Sequence, residues 1–137
     1  MMLARQAAFS GLRLPNHAYY IVSTDPPEKL SDIMRDYNRF TSQRITNVLD
    51  EMHRIELLET FREAAVDEGR GNRFKVRQEG FHPIAIDTGD FFQQKLDYLH
   101  ENPVRKGFVK KPEYWLYSSA RCYLFDDHSV IQVQCLE

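Results

Sequence analysis

Cysteine is scarce in this chain of 137 residues: only Cys122 and Cys135 are present. They lack metal-ligand spacing, and His128 between them leaves the three too widely spread for a zinc site. Reduced thiols in a reducing compartment are expected, with no functional role. Long apolar runs are also missing. Nothing approaches the roughly 18 consecutive apolar residues that cross a bilayer, and the opening MMLARQAAFSGLRL has no adequate apolar h-region. A cytoplasmic protein with no membrane partner is the expectation. Charge of one sign is not in excess, since the net charge is −2. A chain coated in basic residues is excluded, so any nucleic-acid contact must rest on a local patch. Internal repeats and low-complexity stretches are absent as well.

What is present suits one core. A hydrophobic content of 42% over 137 residues predicts a single domain spanning 1–137. HAYYIVS, from His17 to Ser23, is rich in β-branched and aromatic residues and is closed by the turn residues Asp25-Pro26-Pro27, which predicts a strand. From Leu30 to about Asp50, apolar residues recur near helical spacing, with Ser31 a candidate N-cap. Residues 53–68 repeat the pattern, either as a second helix or as a continuation, before Gly69 and Gly71 break it. RFKVRQ, from Arg73, alternates as a strand would, and HPIAID offers another short extended piece, with His82 ordering a turn. Asp87 to Asp90 is turn chemistry, and Phe91, Phe92, Leu96 and Leu99 then mark a helix that Pro103 should end at Asn102. YSSARCYLF reads as a short helix and SVIQVQCL as extended. Helices interleaved with few strands predict an α+β fold in which helices cover an antiparallel sheet.

The chemistry concentrates in KLDYLHENPVRKG. Tyr98 and Asn102 stand at i and i+4, one helical turn apart on one face, so a phenol and an amide could address one phosphate or one metal ion. Tyrosine is competent as a covalent nucleophile. The plainer alternative is that Tyr98 packs on a core and Asn102 caps the helix. His100, at i+2 from Tyr98, belongs to another face. Two basic clusters are interleaved with aromatic residues: Arg70, Arg73, Lys75 and Arg77 around Phe74, and Arg105, Lys106, Lys110 and Lys111 near Phe108, Tyr114 and Trp115. Rings that stack bases beside cations that hold phosphates are what single-stranded nucleic acid requires. Ordinary solvated surface is the competing reading of both clusters. Trp115 and Tyr117 are read as core anchors.

Taken in order, LPNHAYYIVS, LSDIMRDYNRFTSQRI, FKVRQEGFHPIAI, QKLDYLHENPVRKGFV and KPEYWLYSSARCYL resemble the REP-associated tyrosine transposases and related single-tyrosine HUH transposases of bacterial insertion sequences. The resemblance covers residues 11–124. It implies a ferredoxin-like antiparallel sheet covered by helices, in which a strand carries His-hydrophobic-His and a helix brings a nucleophilic tyrosine to face it. Carried over, it makes Tyr98 the nucleophile and His17 and Asn102 the holders of a divalent Mg or Mn ion. Hairpin or other single-stranded DNA would be nicked and rejoined through a phosphotyrosine. Tyr19 occupies the position of the second histidine, and a phenol with a pKa near about 10 is a far poorer ligand than an imidazole. The family's N-terminal strand and helix are expected to be missing ahead of the PNH segment, leaving a sheet edge that a second copy could pair with as a homodimer. The alternative function is a DNA-binding remnant without catalysis.

Overall fold

The computed structural model describes residues 6–77 and 82–136. The fold is α+β, with a two-stranded antiparallel sheet and four helices among the described residues. The chain divides into two compact units, one from residues 1–28 and 84–137 and the other from residues 29–83.

In the first unit, β1 (Gln6–Arg13) pairs antiparallel with β2 (Ala18–Thr24). Contrary to the expectation that no strand precedes the PNH segment, β1 lies directly ahead of it; Ala, Ser and Gly dilute the β-forming signal in its sequence. Pairing with β2 overrides that weak propensity. The register slips between Ala8 and Ser10, where Phe9 forms a bulge. A bulged residue leaves the ladder, and here its groups find other partners. The Phe9 carbonyl accepts from Tyr123 Oη at 2.5 Å, and its ring meets Phe92 edge to face at 6.1 Å. The turn over Pro26 and Pro27 closes β2 as the sequence predicts.

Helix α3 (Gly89–Arg105) carries the candidate residues Tyr98 and Asn102. Thr88 caps it by accepting from the Phe91 N–H at 3.2 Å, a contact that stabilises a helix start by about 1 kcal/mol. Contrary to the expected stop at Asn102, the helix runs through Pro103. Proline lacks the N–H that Leu99 would otherwise receive, yet Asn102 and Pro103 are both buried, and the Asn102 carbonyl accepts from Lys106. Burial outweighs the local bias against helical geometry before proline. Gly107, at φ 76°, ends the helix in the left-handed region that glycine adopts without a Cβ penalty.

Leu12, Leu14 and Leu99 form the core of this unit, with Tyr19, Ile21 and Trp115 packed against it. Each buried leucine contributes about 1.5–3 kcal/mol relative to exposure. A 3₁₀ turn (Pro112–Tyr114) and helix α4 (Ala120–Phe125) complete it. The apolar tail forms no strand among the described residues, and Gln134 N–H donates to the Ala8 carbonyl at 2.8 Å.

The second unit is a helical hairpin of α1 (Leu30–Glu51) and α2 (Ile55–Glu68). His53, at φ 53°, lies in the break between them, so the second periodic segment is a separate helix. Ser31 sits inside α1; Lys29 occupies the N-cap, without a side-chain hydrogen bond. Residues 73–77 form no strand, and Gln78 lies outside the described residues. The segment is instead tied to the helices: Lys75 N–H donates to the Phe61 carbonyl, and Arg77 donates to Thr41 Oγ1 at 2.6 Å. Residues 82–87 likewise form no strand.

Candidate functional site

Helix α3 packs on the β1–β2 pair through Leu99, which joins Leu12, Leu14, Tyr19 and Ile21 in one cluster. His17 precedes β2 by one residue, and its ring lies parallel to that of Tyr19, with centroids 6.3 Å apart and 6° between planes. The i, i+2 alternation of extended chain explains why the two rings share a side. Tyr19 packs against the cluster containing Leu99, the residue that follows Tyr98 on α3. His17 itself is exposed, and its Nδ1 is hydrogen bonded with Asn16 Oδ1 at 2.6 Å.

Leu96 and Leu99 turn inward, which leaves Tyr98 on the outer side of the helix with 53% of its surface exposed. Arg105, two turns further on, lies over the Tyr98 ring at 4.2 Å from its centroid. Its guanidinium also donates to the Tyr98 carbonyl at 2.6 Å. A cation is thereby held over the face of the phenol ring. Asn102 shares the i+4 relation but not the environment. It is 4% exposed, and its Oδ1 is buried with no hydrogen-bond partner among the described residues. Such an atom forgoes about 1–3 kcal/mol of hydrogen-bond satisfaction.

The two basic clusters fall in different units. Arg105, Lys106, Lys110 and Lys111 are all exposed, on the same unit as Tyr98. In the other cluster, Arg70 and Lys75 both pair with Glu68, at 3.3 and 3.2 Å. Arg77 is partly buried, bonded to Thr41 and 5.7 Å from the centroid of the Tyr37 ring. Arg73 lies over the Phe74 ring at 5.1 Å. Three of these four cations are thus engaged with α1 or α2 side chains.

Sequence reasoning set His100 aside, and correctly placed it on another face of α3 from Tyr98. Its actual task is an anchor. His100 Nε2 is hydrogen bonded with Ser119 Oγ at 2.8 Å, and Ser119, fully buried, accepts from the Gly11 N–H at 3.1 Å while its own N–H donates to the Gly11 carbonyl at 2.8 Å. The His100 ring also meets Tyr123 edge to face at 5.4 Å. Burial lowers the His100 pKa to about 4, against a smaller upward pull from Asp97. The imidazole is therefore neutral near neutral pH and ties α3 to β1 and to the start of α4. Nothing in the spacing points to this pairing, which joins residues 19 positions apart. The small residues of SSA are its only trace, since they let chain segments approach closely.

Tyr117 departs from its expected role as a core anchor: it is 48% exposed, with the Arg13 guanidinium 5.8 Å from its ring centroid. Trp115 keeps that role, packed on the leucine cluster with its Nε1–H donating to the Arg13 carbonyl at 2.7 Å. Comparison with protein-family models, with curated proteins and with solved structures returns no match.

Proposed function

We propose that the protein binds hairpin or other single-stranded DNA and nicks and rejoins it through Tyr98, as a transposase of the single-tyrosine type on a ferredoxin-like framework. The observation that carries this reading is the pairing of an exposed phenol with a guanidinium on a helix whose Leu99 shares a cluster with Tyr19. Tyr98 Oη would attack a backbone phosphorus, forming a phosphotyrosine as the bond to the leaving sugar oxygen breaks. The phenol proton passes to water, and the sugar oxygen takes one up. Arg105 would hold the non-bridging oxygens as charge builds on them. Lys106, Lys110 and Lys111 would hold the flanking strand.

The donor chemistry for a divalent ion consists of His17, through the ring nitrogen not engaged with Asn16, and Asn102, through its unpartnered Oδ1. Among the described residues, no group of three or more His, Cys, Asp or Glu side chains converges. Mg or Mn held here would need phosphate and water oxygens to complete its shell, and would supply positive charge to the phosphate. The test is covalent trapping. Wild-type protein with manganese and a hairpin-flanked single strand should give a denaturant-resistant adduct that Tyr98→Phe abolishes. Absence of any adduct from the wild type would refute the reading.

A second reading, a DNA-binding protein without catalysis, is favoured by Tyr19. In the resemblance Tyr19 stands where a second metal histidine would be, and its ring packs against the leucine cluster. Under this reading the wild type binds single strands in a salt-dependent manner but forms no adduct, and Tyr19→His restores cleavage.

A further inference from the structure

We propose that Tyr117 and Tyr114, with Arg13 and Lys111 beside them, form a base-stacking surface for single-stranded nucleic acid. Residues 117 and 118 run antiparallel to the end of β1. Leu12 and Ser118 form a bridge and are both buried, so their neighbours Arg13 and Tyr117 emerge on the solvent side. Arg13 has no backbone freedom there. Its N–H donates to the Tyr117 carbonyl at 2.8 Å, and its carbonyl accepts from Trp115 Nε1. The guanidinium stands 5.8 Å from the Tyr117 ring centroid. Tyr114 repeats the arrangement in the 3₁₀ turn: it is 60% exposed, its N–H donates to the Lys111 carbonyl, and Lys111 Nζ lies 5.8 Å from its ring centroid.

The chain joining the two rings is anchored at Trp115. Trp115, between them in sequence, packs on the leucine cluster and stacks on Phe108 with centroids 5.2 Å apart. The result is two half-exposed aromatic rings on ordered backbone, each with a cation near its ring. Unpaired bases stack on such rings whatever their sequence, while the cations meet the adjoining phosphates. A duplex hides its base faces and cannot use them. Arg13 and Tyr117 lie outside the basic cluster around Arg105, so the surface widens the contact beyond that cluster. The proposal rests on the reading that this unit binds single-stranded nucleic acid, and not on any chemistry at Tyr98.

The experiment uses the full chain carrying Tyr98→Phe, without metal, and measures fluorescence anisotropy of an oligo-dT of about twelve nucleotides against an abasic strand of equal length and charge. The parent should prefer oligo-dT by on the order of tenfold or more. Tyr117→Ala and Tyr114→Ala should each remove a large part of that preference while leaving abasic binding unchanged, and Tyr117→Phe should retain it. Arg13→Ala should weaken both strands alike. Equal affinity of the parent for the two strands, or a base preference untouched by either alanine variant, would overturn the surface but leave Tyr98 chemistry standing. No binding to either strand would overturn both. Circular dichroism on each variant separates lost binding from lost folding.

Discussion

His100 makes the stability of this protein depend on pH in a window set by one buried imidazole. Its folded-state pKa is lowered to about 4 from an ordinary 6.5, with burial as the main cause. Above the ordinary value both folded and unfolded chains hold it neutral, and it contributes no pH dependence. As pH falls through 6.5 the unfolded chain takes up a proton that the folded chain refuses, so stability declines until the pH reaches the folded value and then levels off. With about 1.4 kcal/mol per unit of separation, lowering the pH from about 7.5 to about 5 should remove on the order of 2 kcal/mol. Urea denaturation followed by Trp115 fluorescence, at pH steps across that window, measures the slope. His100→Gln keeps a hydrogen-bonding group near Ser119 but cannot titrate. Its absolute stability will differ, because the ring contact with Tyr123 is lost. Its slope should be flatter by about the same 2 kcal/mol. Parallel curves for the two proteins would refute the argument. Asp127 does not confuse the reading. Ser129 and Arg121 lower its carboxyl to about 2, so its contribution is held above the ordinary carboxylate value and is lost only as pH falls below 3.8.

Ser119→Ala removes the acceptor of the Gly11 N–H and the partner of His100, both at a buried site, and should destabilise by about 2–3 kcal/mol in the same denaturation assay. Gly107→Ala places a Cβ at φ 76° where no neighbouring atom obstructs it, so its cost is conformational alone, about 1–2 kcal/mol, visible as a lowered melting temperature. Asn102→Leu replaces an unpartnered buried oxygen with an apolar group of similar size; stability should hold within about 1 kcal/mol or rise, while adduct formation through Tyr98 is lost. A leucine variant that retains full adduct yield would remove Asn102 from the site.

The helices were legible because their apolar residues recur at helical spacing: α1 begins at Leu30 as expected, α2 lies within its periodic segment, and α3 contains the expected one and extends past both of its ends. β2 was legible from its β-branched and aromatic run. β1 was not, since its residues have little preference of their own and take extended form by pairing with β2. The end of α3 was misplaced because the rule about residues before proline is local, whereas the burial of Asn102 and Pro103 is tertiary. RFKVR alternates like a strand, but its cations bind the helical hairpin instead of its backbone binding a sheet. At the site, the exposure of Tyr98 and its basic neighbours could be anticipated from the motif. The stacking of Arg105 and the anchoring by His100 could not, because each depends on a rotamer or on a partner distant in sequence.

The two sides of α3 differ: one is held in the fold, and the other bears the exposed Tyr98 of the proposed chemistry. Leu96, Leu99 and His100 hold one side by apolar burial and by a hydrogen bond to a serine that is itself doubly bonded to Gly11. Apolar packing alone tolerates a sliding or rotated helix better than a buried hydrogen bond does, since a slipped imidazole would leave Ser119 without its partner in a dry site. The lock therefore fixes the rotation of α3 as well as its position. Under the proposed function, rotation would decide whether the Tyr98 hydroxyl faces an incoming phosphate beside Arg105 or is turned toward the core. On this argument, substitutions at His100 that spare the fold should still blur the placement of Tyr98, because what they release is the angle at which the helix presents its phenol.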